Sequence, residues 1–204
     1  MKDLIWYACY GSNLKKSNFL DYIQKCSDKS TPKDDKQYRL PYELYFSISS
    51  EKWDYKGVSF IKLQKAEHTK TLGRIYLIKK EQFNEIVGQE SIKRSNDTPI
   101  NIDFEETISK GYSLIPEIKC YARIVYIGSE EGYPIFTFTA RWDDENIGPK
   151  PPGKRYLKEI IEGIKETHDL HDEEIIEYLK NIEGIKGRIC EEQIIKIVKQ
   201  VSLP

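Results

Sequence analysis

Near its start the sequence reads Leu4-Ile5-Trp6-Tyr7-Ala8-Cys9, an apolar run, followed at once by Tyr10-Gly11-Ser12-Asn13-Leu14. This order is typical of a buried strand that ends in a tight polar loop. Gly11 can adopt backbone angles closed to other residues and lets a ligand approach the main chain, while Ser12 and Asn13 suit a turn or the cap of a following helix. Backbone N–H groups placed in this way can hold a carboxylate or a phosphate. The same residues also fit an ordinary turn, so both interpretations stay open.

The composition predicts a globular protein with one domain. Of the 204 residues, 39% are hydrophobic and 32% are charged, which argues against disorder and provides for one sizeable core. We therefore expect residues 1–204 to form a single domain, with a helical part at 149–204 packed on a core formed by 1–148. The 32 basic and 33 acidic residues leave a net charge of −1, so nucleic acid and anionic membranes are not expected partners. A small molecule is the expected partner, and the oligomeric state stays open.

Signals for export, membrane insertion and metal binding are missing from the sequence. No apolar run reaches the roughly 18 residues that indicate a membrane span, and the start lacks the order of a secretory leader, so we predict a cytoplasmic location. The four cysteines form no Cys-x-x-Cys pair, which indicates reduced, mostly buried thiols rather than a zinc site or a redox pair. We assign His168 and His171 to solvent because they flank a predicted helix boundary. No metal or cofactor is expected.

Hydrophobic periodicity divides the chain into strands and helices. We predict strands at 4–9, 38–48, 57–63, 71–78, 120–127 and 133–139. We predict helices at 15–24, 79–92, 156–168, 172–182 and 190–203. Two further segments, 27–37 and 93–118, have the composition of exposed loops. Because neighbouring strands have short connections, we expect antiparallel pairing of 57–63 with 71–78 in a curved or closed sheet, and a hairpin at 120–139.

The helix predicted at 79–92 carries an unusual carboxylate. Its apolar residues Phe83, Ile86 and Val87 follow the spacing of one helical face, and the next position on that face is Glu90. Burial would raise the pKa of this carboxyl group toward neutrality, which suits a group that accepts and returns a proton. The alternative is a glutamate near a helix end that reaches water, and Gly88 is consistent with an early end of the helix.

Several enzyme signatures are missing, and one family resemblance stands out. The sequence has no Gly-x-x-x-x-Gly-Lys loop, no Gly-x-Gly-x-x-Gly fingerprint, no His-Glu-x-x-His and no Gly-x-Ser-x-Gly elbow. Tyr10-Gly11-Ser12-Asn13-Leu14 at the end of a strand resembles the signature of the γ-glutamylcyclotransferase-like family. The strand at 72–78 and the helix at 81–92 resemble the segment that carries the catalytic glutamate of that family. This alignment places the glutamate at Glu90.

A third segment, in the same order as in the family, lies further along the chain. Pro151-Pro152-Gly153-Lys154-Arg155-Tyr156-Leu157 is similar to a family segment Pro-Ser-x-x-Tyr that opens a helix, and Gly163 and Glu166 follow as they often do in the family. Two positions depart from the pattern. Ser91 replaces a glycine that follows the catalytic glutamate in some members, and Asp97 stands where those members have an aromatic residue. These departures concern the choice of substrate rather than the class of reaction.

The resemblance implies both a fold and a reaction. The fold is of the α+β class, a compact mixed or antiparallel β-barrel with flanking helices. The reaction releases 5-oxoproline and an amine or amino acid from a γ-glutamyl compound, as an acyltransferase of the amine-lyase type, without metal or organic cofactor. Glu90 transfers the proton, and the substrate's α-carboxylate is held by Tyr10, Gly11, Ser12, Asn13 and Leu14. Tyr156 either hydrogen-bonds the glutamyl group or is a core residue at a helix start.

Two other interpretations fit the same sequence. The fold can serve as a non-catalytic module that binds a small molecule, in which Glu90 pairs with a basic side chain. The isoleucine-rich faces of the C-terminal helices also permit a role in protein interaction.

Overall fold

The computed structural model describes residues 3–66, 70–90, 100–116, 118, 120–141 and 147–201. Within them the chain forms eight strands and six α-helices, an α+β composition as predicted. The strands are β1 (Leu4–Cys9), β2 (Asp34–Leu40), β3 (Tyr42–Ser50), β4 (Lys56–Lys65), β5 (Thr71–Lys79), β6 (Tyr112–Leu114), β7 (Arg123–Glu130) and β8 (Tyr133–Thr139). The helices are α1 (Lys16–Ile23), α2 (Lys80–Glu90), α3 (Phe104–Lys110), α4 (Lys154–Thr167), α5 (Asp172–Lys180) and α6 (Glu191–Gln200).

The chain divides into two compact units that alternate along the sequence. The first comprises Met1–Cys9, Leu20–Tyr38 and Ile75–Trp142, and the second comprises Tyr10–Phe19, Arg39–Arg74 and Asp143–Pro204. The single domain expected for 1–204, with 149–204 packed on 1–148, stays a prediction. No helix in the described part of the chain combines the length and apolar character needed to cross a bilayer.

The first unit is built on a mixed sheet of six strands in the order β2-β5-β1-β8-β7-β6. Residues 39–40 of β2 and 71–74 of β5 belong to the second unit. Strand β1 runs parallel to β8, whereas β7 is antiparallel to both β8 and β6. Among the described residues the sheet is open, with β2 and β6 as its edges. The closed barrel implied by the resemblance is therefore not confirmed.

Aromatic side chains fill the core of the first unit around β1. Tyr7 stacks on Phe138 with ring centroids 5.3 Å apart and contacts Phe83 of α2 at 5.6 Å. Phe83, Ile86 and Val87 are all buried, which confirms the predicted apolar face of α2. The helix covers the sheet because its apolar spacing presents these three side chains together.

The hairpin of β7 and β8 is confirmed, with a tighter turn than predicted. Its two turn residues, Glu131 and Gly132, have φ angles of 51° and 76°, which are left-handed. Two-residue turns with this conformation have a backbone twist that matches the twist of the flanking strands. The predicted loop comprises the whole of 128–132, but β7 continues to Glu130, which pairs with Tyr133. A register shift between Tyr126 and Gly128 accommodates the extra residue.

The second unit combines the antiparallel pair β3–β4 with α4, α5 and α6. The isoleucine-rich faces predicted for these helices are largely buried, although Ile176 and Ile195 are only half-buried. The buried residues include Leu157, Ile160, Ile161, Ile164, Ile175, Leu179, Ile194, Ile197 and Val198. Helix α6 packs against both α4 and α5. The strand β4 pairs with β3 and not with β5, so the predicted pairing of 57–63 with 71–78 is wrong.

Two segments predicted as loops contain regular structure. Within 27–37, β2 begins at Asp34, and its exposed, charged residues are typical of an edge strand, which needs no alternating apolar pattern. Within 93–118, the described part contains α3 and β6, while residues 91–99 lie outside the described residues. Helix α3 begins where the side chain of Asp103 accepts a hydrogen bond from the N–H of Glu106 and ends at the left-handed Gly111.

Replacement of Lys165 by methionine should destabilise the second unit. The side chain of Lys165 is 8% exposed, and its Nζ lies 2.6 Å from Asp172, 2.9 Å from the Val201 carbonyl and 3.1 Å from the Val198 carbonyl. Methionine keeps the aliphatic volume but leaves these acceptors without their donor, so we expect a loss of about 2–3 kcal/mol in the free energy of unfolding. Urea denaturation measures it. The exposed Lys199→Met variant is the control, and an equal effect of both would contradict the assignment.

Candidate active site

The loop that follows β1 folds into a short 3-10 turn, Ser12–Leu14. The N–H of Leu14 donates to the Gly11 carbonyl at 3.0 Å, and the N–H of Lys15 donates to the Ser12 carbonyl at 3.2 Å. Ser12 and Asn13 are buried. The predicted turn is thus present. The φ of Gly11 is −111°, outside the left-handed region, so the backbone angles do not explain why a glycine stands there.

Close packing explains the glycine at position 11. A Cβ atom on Gly11 would lie 2.6 Å from the Oγ of Ser59 and 2.9 Å from the Oη of Tyr156. These two oxygens are hydrogen-bonded to each other at 2.7 Å, and the N–H of Ser59 also donates to the Oη at 3.3 Å. The structure therefore brings Tyr156 against the predicted substrate loop, through a partner that the sequence analysis missed. The sequence feature that could have indicated Ser59 is its position as a polar residue among the apolar residues of β4.

The ring of Tyr156 also belongs to the core of the second unit. The side chain is buried, its ring centroid lies 4.6 Å from that of Trp53, and it meets Phe46 edge-on at 6.3 Å. The interpretation of Tyr156 as a core residue at a helix start is consistent with this packing. Its hydroxyl is fixed beside the loop by the same contacts, since a packed ring has few rotamers.

A buried arginine holds the end of the loop. Arg74 is 6% exposed, and its Nη1 donates to the carbonyl of Leu14 at 3.1 Å and lies 3.3 Å from the carboxylate of Glu166. The same carboxylate accepts the N–H of Lys16 at 3.0 Å, at the first residue of α1. The N-terminus of α1 is thus occupied by an anion from the chain itself. Arg74 is not among the predicted site residues, although a charged residue in an apolar strand is unusual enough to indicate a special role.

Helix α4 approaches the loop closely enough to require a second glycine. A Cβ on Gly163 would lie 2.4 Å from backbone atoms of Leu14 and Lys15, a distance that real Cβ contacts do not show. Beside this contact, the Nζ of Lys15 lies 2.9 Å from Glu159 and 2.5 Å from Glu162. The hydrogen bond that Lys15 donates to Glu162 is the main cause that raises the pKa of Lys15 above its ordinary value. The loop and α4 are therefore joined by backbone contact and by charge.

Glu90 is the last residue of α2 in the first unit, and it is half-buried. Its charge acts on Cys120, whose pKa is raised to about 12, mainly by burial and with a smaller contribution from Glu90. The catalytic role of Glu90 stays a prediction. Ser91 and Asp97, which depart from the family pattern, lie outside the described residues.

The assignment of His168 to solvent is wrong. Its side chain is buried, with Nε2 2.9 Å from the Gly73 carbonyl, because the last turn of α4 carries it inward next to β5. Burial lowers the pKa of His168 below its ordinary value, and the charges of Arg39 and Arg74 act in the same direction. His171 is exposed, as predicted.

The thiols agree with the prediction of reduced, mostly buried cysteines. Cys9, Cys26 and Cys120 are buried and Cys190 is exposed, and all four are free. Burial raises the pKa of Cys26 to about 11. Among the described residues, no group of three or more His, Cys, Asp or Glu side chains is placed to hold a metal ion.

Comparison with known proteins gives one relative by sequence. No protein-family profile matches the chain. Histone deacetylase 5 of Arabidopsis thaliana is 30% identical to it over 198 residues, a match that covers 86% of this chain and 30% of that protein. The chain therefore spans less than a third of the length of the curated relative that it matches.

Solved structures identify the fold. The human protein loc79017 (Homo sapiens) superposes with a TM-score of 0.52 at 22% identity, covering 97% of this chain and 99% of that chain. A γ-glutamyl cyclotransferase superposes with a TM-score of 0.50, also at 22% identity and with the same coverage. The chain has the γ-glutamyl cyclotransferase fold, which confirms the resemblance predicted from its sequence at the level of the fold.

The two helical glycines, Gly163 and Gly88, should respond in opposite directions to substitution by alanine. Gly163→Ala forces the Leu14 backbone to move, and we expect it to lower the free energy of unfolding by about 1–3 kcal/mol. Among the described residues, a Cβ on Gly88 meets only Ile100, at an ordinary 3.5 Å, so Gly88→Ala should raise the free energy of unfolding by up to about 1 kcal/mol. Chemical denaturation distinguishes them. A Gly163→Ala variant as stable as Gly88→Ala would show that the contact with Leu14 is loose.

His168 should make the protein less stable in mild acid. The unfolded chain binds a proton at His168 near pH 6.5, while the folded chain, with its lowered pKa, resists it. The stabilisation is therefore complete above about pH 7. It is lost as the pH falls toward the folded pKa, at no more than about 1.4 kcal/mol per pH unit. Denaturation between pH 5 and about pH 7.5 measures this loss. His168→Gln should flatten the dependence and the exposed His171→Gln should keep it, whereas unchanged slopes in both would refute the assignment.

Proposed function

We propose that the protein is a γ-glutamyl cyclotransferase-like enzyme that releases 5-oxoproline and an amine or amino acid from a γ-glutamyl compound. The observation that carries the proposal is the Tyr10–Leu14 loop, on a fold shared with a γ-glutamyl cyclotransferase. The loop packs tightly at Gly11 against the hydroxyl group of Tyr156, and Arg74 binds the carbonyl of Leu14. A loop held on several sides is suited to binding one small ligand in one orientation, because little conformational freedom is lost on binding.

The loop is the proposed site for the α-carboxylate of the substrate. Its 3-10 turn uses the N–H groups of Leu14 and Lys15, and those of Gly11 and Ser12 donate to no residue in the described part of the chain. Two adjacent N–H groups can bind one carboxylate. We assign to the Oη of Tyr156, which lies beside Gly11, the role of orienting the bound glutamyl group. Because Ser59 shares a hydrogen bond with this oxygen, it is a positioning residue in the same proposal.

The proposed reaction transfers an acyl group within the substrate. The nitrogen of the α-amine forms a bond to the γ-carbonyl carbon, and the bond from this carbon to the leaving amine breaks. The α-amine loses a proton and the leaving nitrogen gains one. We assign both transfers to the carboxylate of Glu90, which accepts the first proton and returns it to the leaving group. Holding the α-carboxylate would place the amine for attack and so replace an encounter of two molecules by an internal step.

The deciding experiment measures 5-oxoproline with a panel of γ-glutamyl amino acids, peptides and amines. We expect turnover of at least one member, and we expect Glu90→Gln to lower kcat by about 10²- to 10⁴-fold, the usual contribution of a proton-transfer group. Glu81→Gln, an exposed change at the other end of α2, is the matched control and should keep wild-type turnover.

The outcomes separate the enzyme from its alternatives. Absence of 5-oxoproline across the panel, or full activity of Glu90→Gln, would refute the enzyme proposal. Binding of glutamyl ligands without turnover would instead assign the protein as a non-catalytic binding module. Thermal shifts with a glutamyl ligand, measured on wild type and Glu90→Gln, distinguish loss of binding from loss of proton transfer.

A further inference from the structure

A second concave site lies in the second unit, where α4 begins and α6 runs alongside. The cavity has a volume of about 410 Å³, within the range of small-molecule sites. Four cationic side chains line it: Lys56, Lys154, Arg188 and Lys196. No acidic residue is among the described residues that line it. The lining is thus charged with one sign, although the whole chain has a net charge of −1.

The four exposed cations differ from other basic residues of this unit in their charge partners. In the described ranges, none of them forms an ion pair with a carboxylate, whereas Lys15, Lys62 and Lys165 of the same unit each contact at least one. Four like charges around one cavity repel one another, which favours the binding of an anion that offsets them. A larger cavity of about 1010 Å³ in this unit, which Arg188 also lines, differs because several carboxylates line it and Glu43 and Glu183 pair there with Lys62.

The start of α4 adds positive potential at the same place. This helix has 14 residues, and its N-cap is Gly153, which supplies no side-chain hydrogen bond. Its first turn contains no acidic residue but begins with Lys154. The first turns of α5 and α6 carry three and two acidic residues, so the partial charge at their starts is offset within the chain. At α4 it is not offset by an acidic residue of the first turn.

The rest of the lining is largely apolar. Pro151 and Ile189 are partly exposed apolar residues of the cavity wall. Such a surface favours contact with a ring or an aliphatic chain rather than with water. A ligand that uses both parts of the cavity therefore carries several negative charges at one end and an apolar group at the other.

We propose that this cavity binds a phosphorylated small molecule, with the phosphate oxygens on Lys56, Lys154, Arg188 and Lys196 and an apolar body against Pro151 and Ile189. Phosphate groups supply several acceptor oxygens and a multiple charge in a small volume, which suits a cavity lined by four cations better than one carboxylate does. The site is independent of the glutamyl site, since it shares no residue with the Tyr10–Leu14 loop, Tyr156 or Glu90.

Calorimetric titration of the full chain tests the proposal. The probes are ADP and isopentenyl diphosphate, which carry a ring and an aliphatic body, together with inorganic pyrophosphate and adenosine. We expect one of the two organic diphosphates to bind with 1:1 stoichiometry, pyrophosphate to bind more weakly, and adenosine to show no binding. The affinity should fall as salt is raised, because the contacts are charged and partly exposed.

Charge variants locate the binding. Lys154→Gln and Arg188→Gln should each weaken the organic diphosphate by about five- to tenfold, as expected for a lost charge-assisted hydrogen bond. Lys199→Gln, on α6 but outside the cavity lining, is the matched control and should not change the affinity. Circular dichroism spectra of all three variants check that the fold is kept.

Three results would overturn the proposal. The first is failure of both organic diphosphates to saturate the protein. The second is pyrophosphate binding as tightly as the organic diphosphates, which would reduce the cavity to an inorganic anion site. The third is tighter binding of a single-stranded oligonucleotide with the same sensitivity to Lys154→Gln and Arg188→Gln, which would assign the cations to a nucleic-acid surface.

Discussion

The close approach of α4 to the loop after β1 is the constraint on which the candidate site depends. Four residues of α4 at helical spacing, Tyr156, Glu159, Gly163 and Glu166, form one stripe along the helix. Each contacts the segment between Gly11 and Asn18 by hydrogen bonds, charge or direct packing. The remaining inward positions of α4 fill the core of the second unit. One helix therefore stabilises this unit and fixes the loop, and a displacement of α4 would change both.

The contacts from the strands complete the restraint of the loop. Ser59 of β4 reaches Gly11 from one side, and Arg74 of β5 binds the Leu14 carbonyl from another. Arg74 can be buried because Glu166 and a carbonyl share its charge, whereas an unpaired arginine would be costly there. The restraint explains why both tight contacts occur at glycines, since a side chain at position 11 or 163 would displace the neighbours that hold the loop.

The sequence predicted features that repeat locally and missed features that depend on distant partners. The apolar spacing of α2 and α4 and the turn after β1 are local, and all three were correct. Ser59 lies 48 residues along the chain from Gly11, and Arg74 lies 60 residues from Leu14. No local pattern encodes such pairs. Strand β2 was missed because an edge strand tolerates charged residues on both faces. His168 was misplaced because a helix boundary does not indicate which neighbour will cover it.

Two helix starts of the second unit, those of α1 and α4, handle charge in opposite ways, and this difference bears on where an external anion can bind. At α1 the carboxylate of Glu166 already accepts the first N–H, so that position has no need of another anion. A substrate carboxylate at the loop must then rely on the N–H groups of the turn that precedes α1. At α4 the first turn has no acidic residue, and cations surround it. Since the described lining of this cavity has four cations and no carboxylate, an external anion finds its charge partners at the start of α4 rather than at the start of α1.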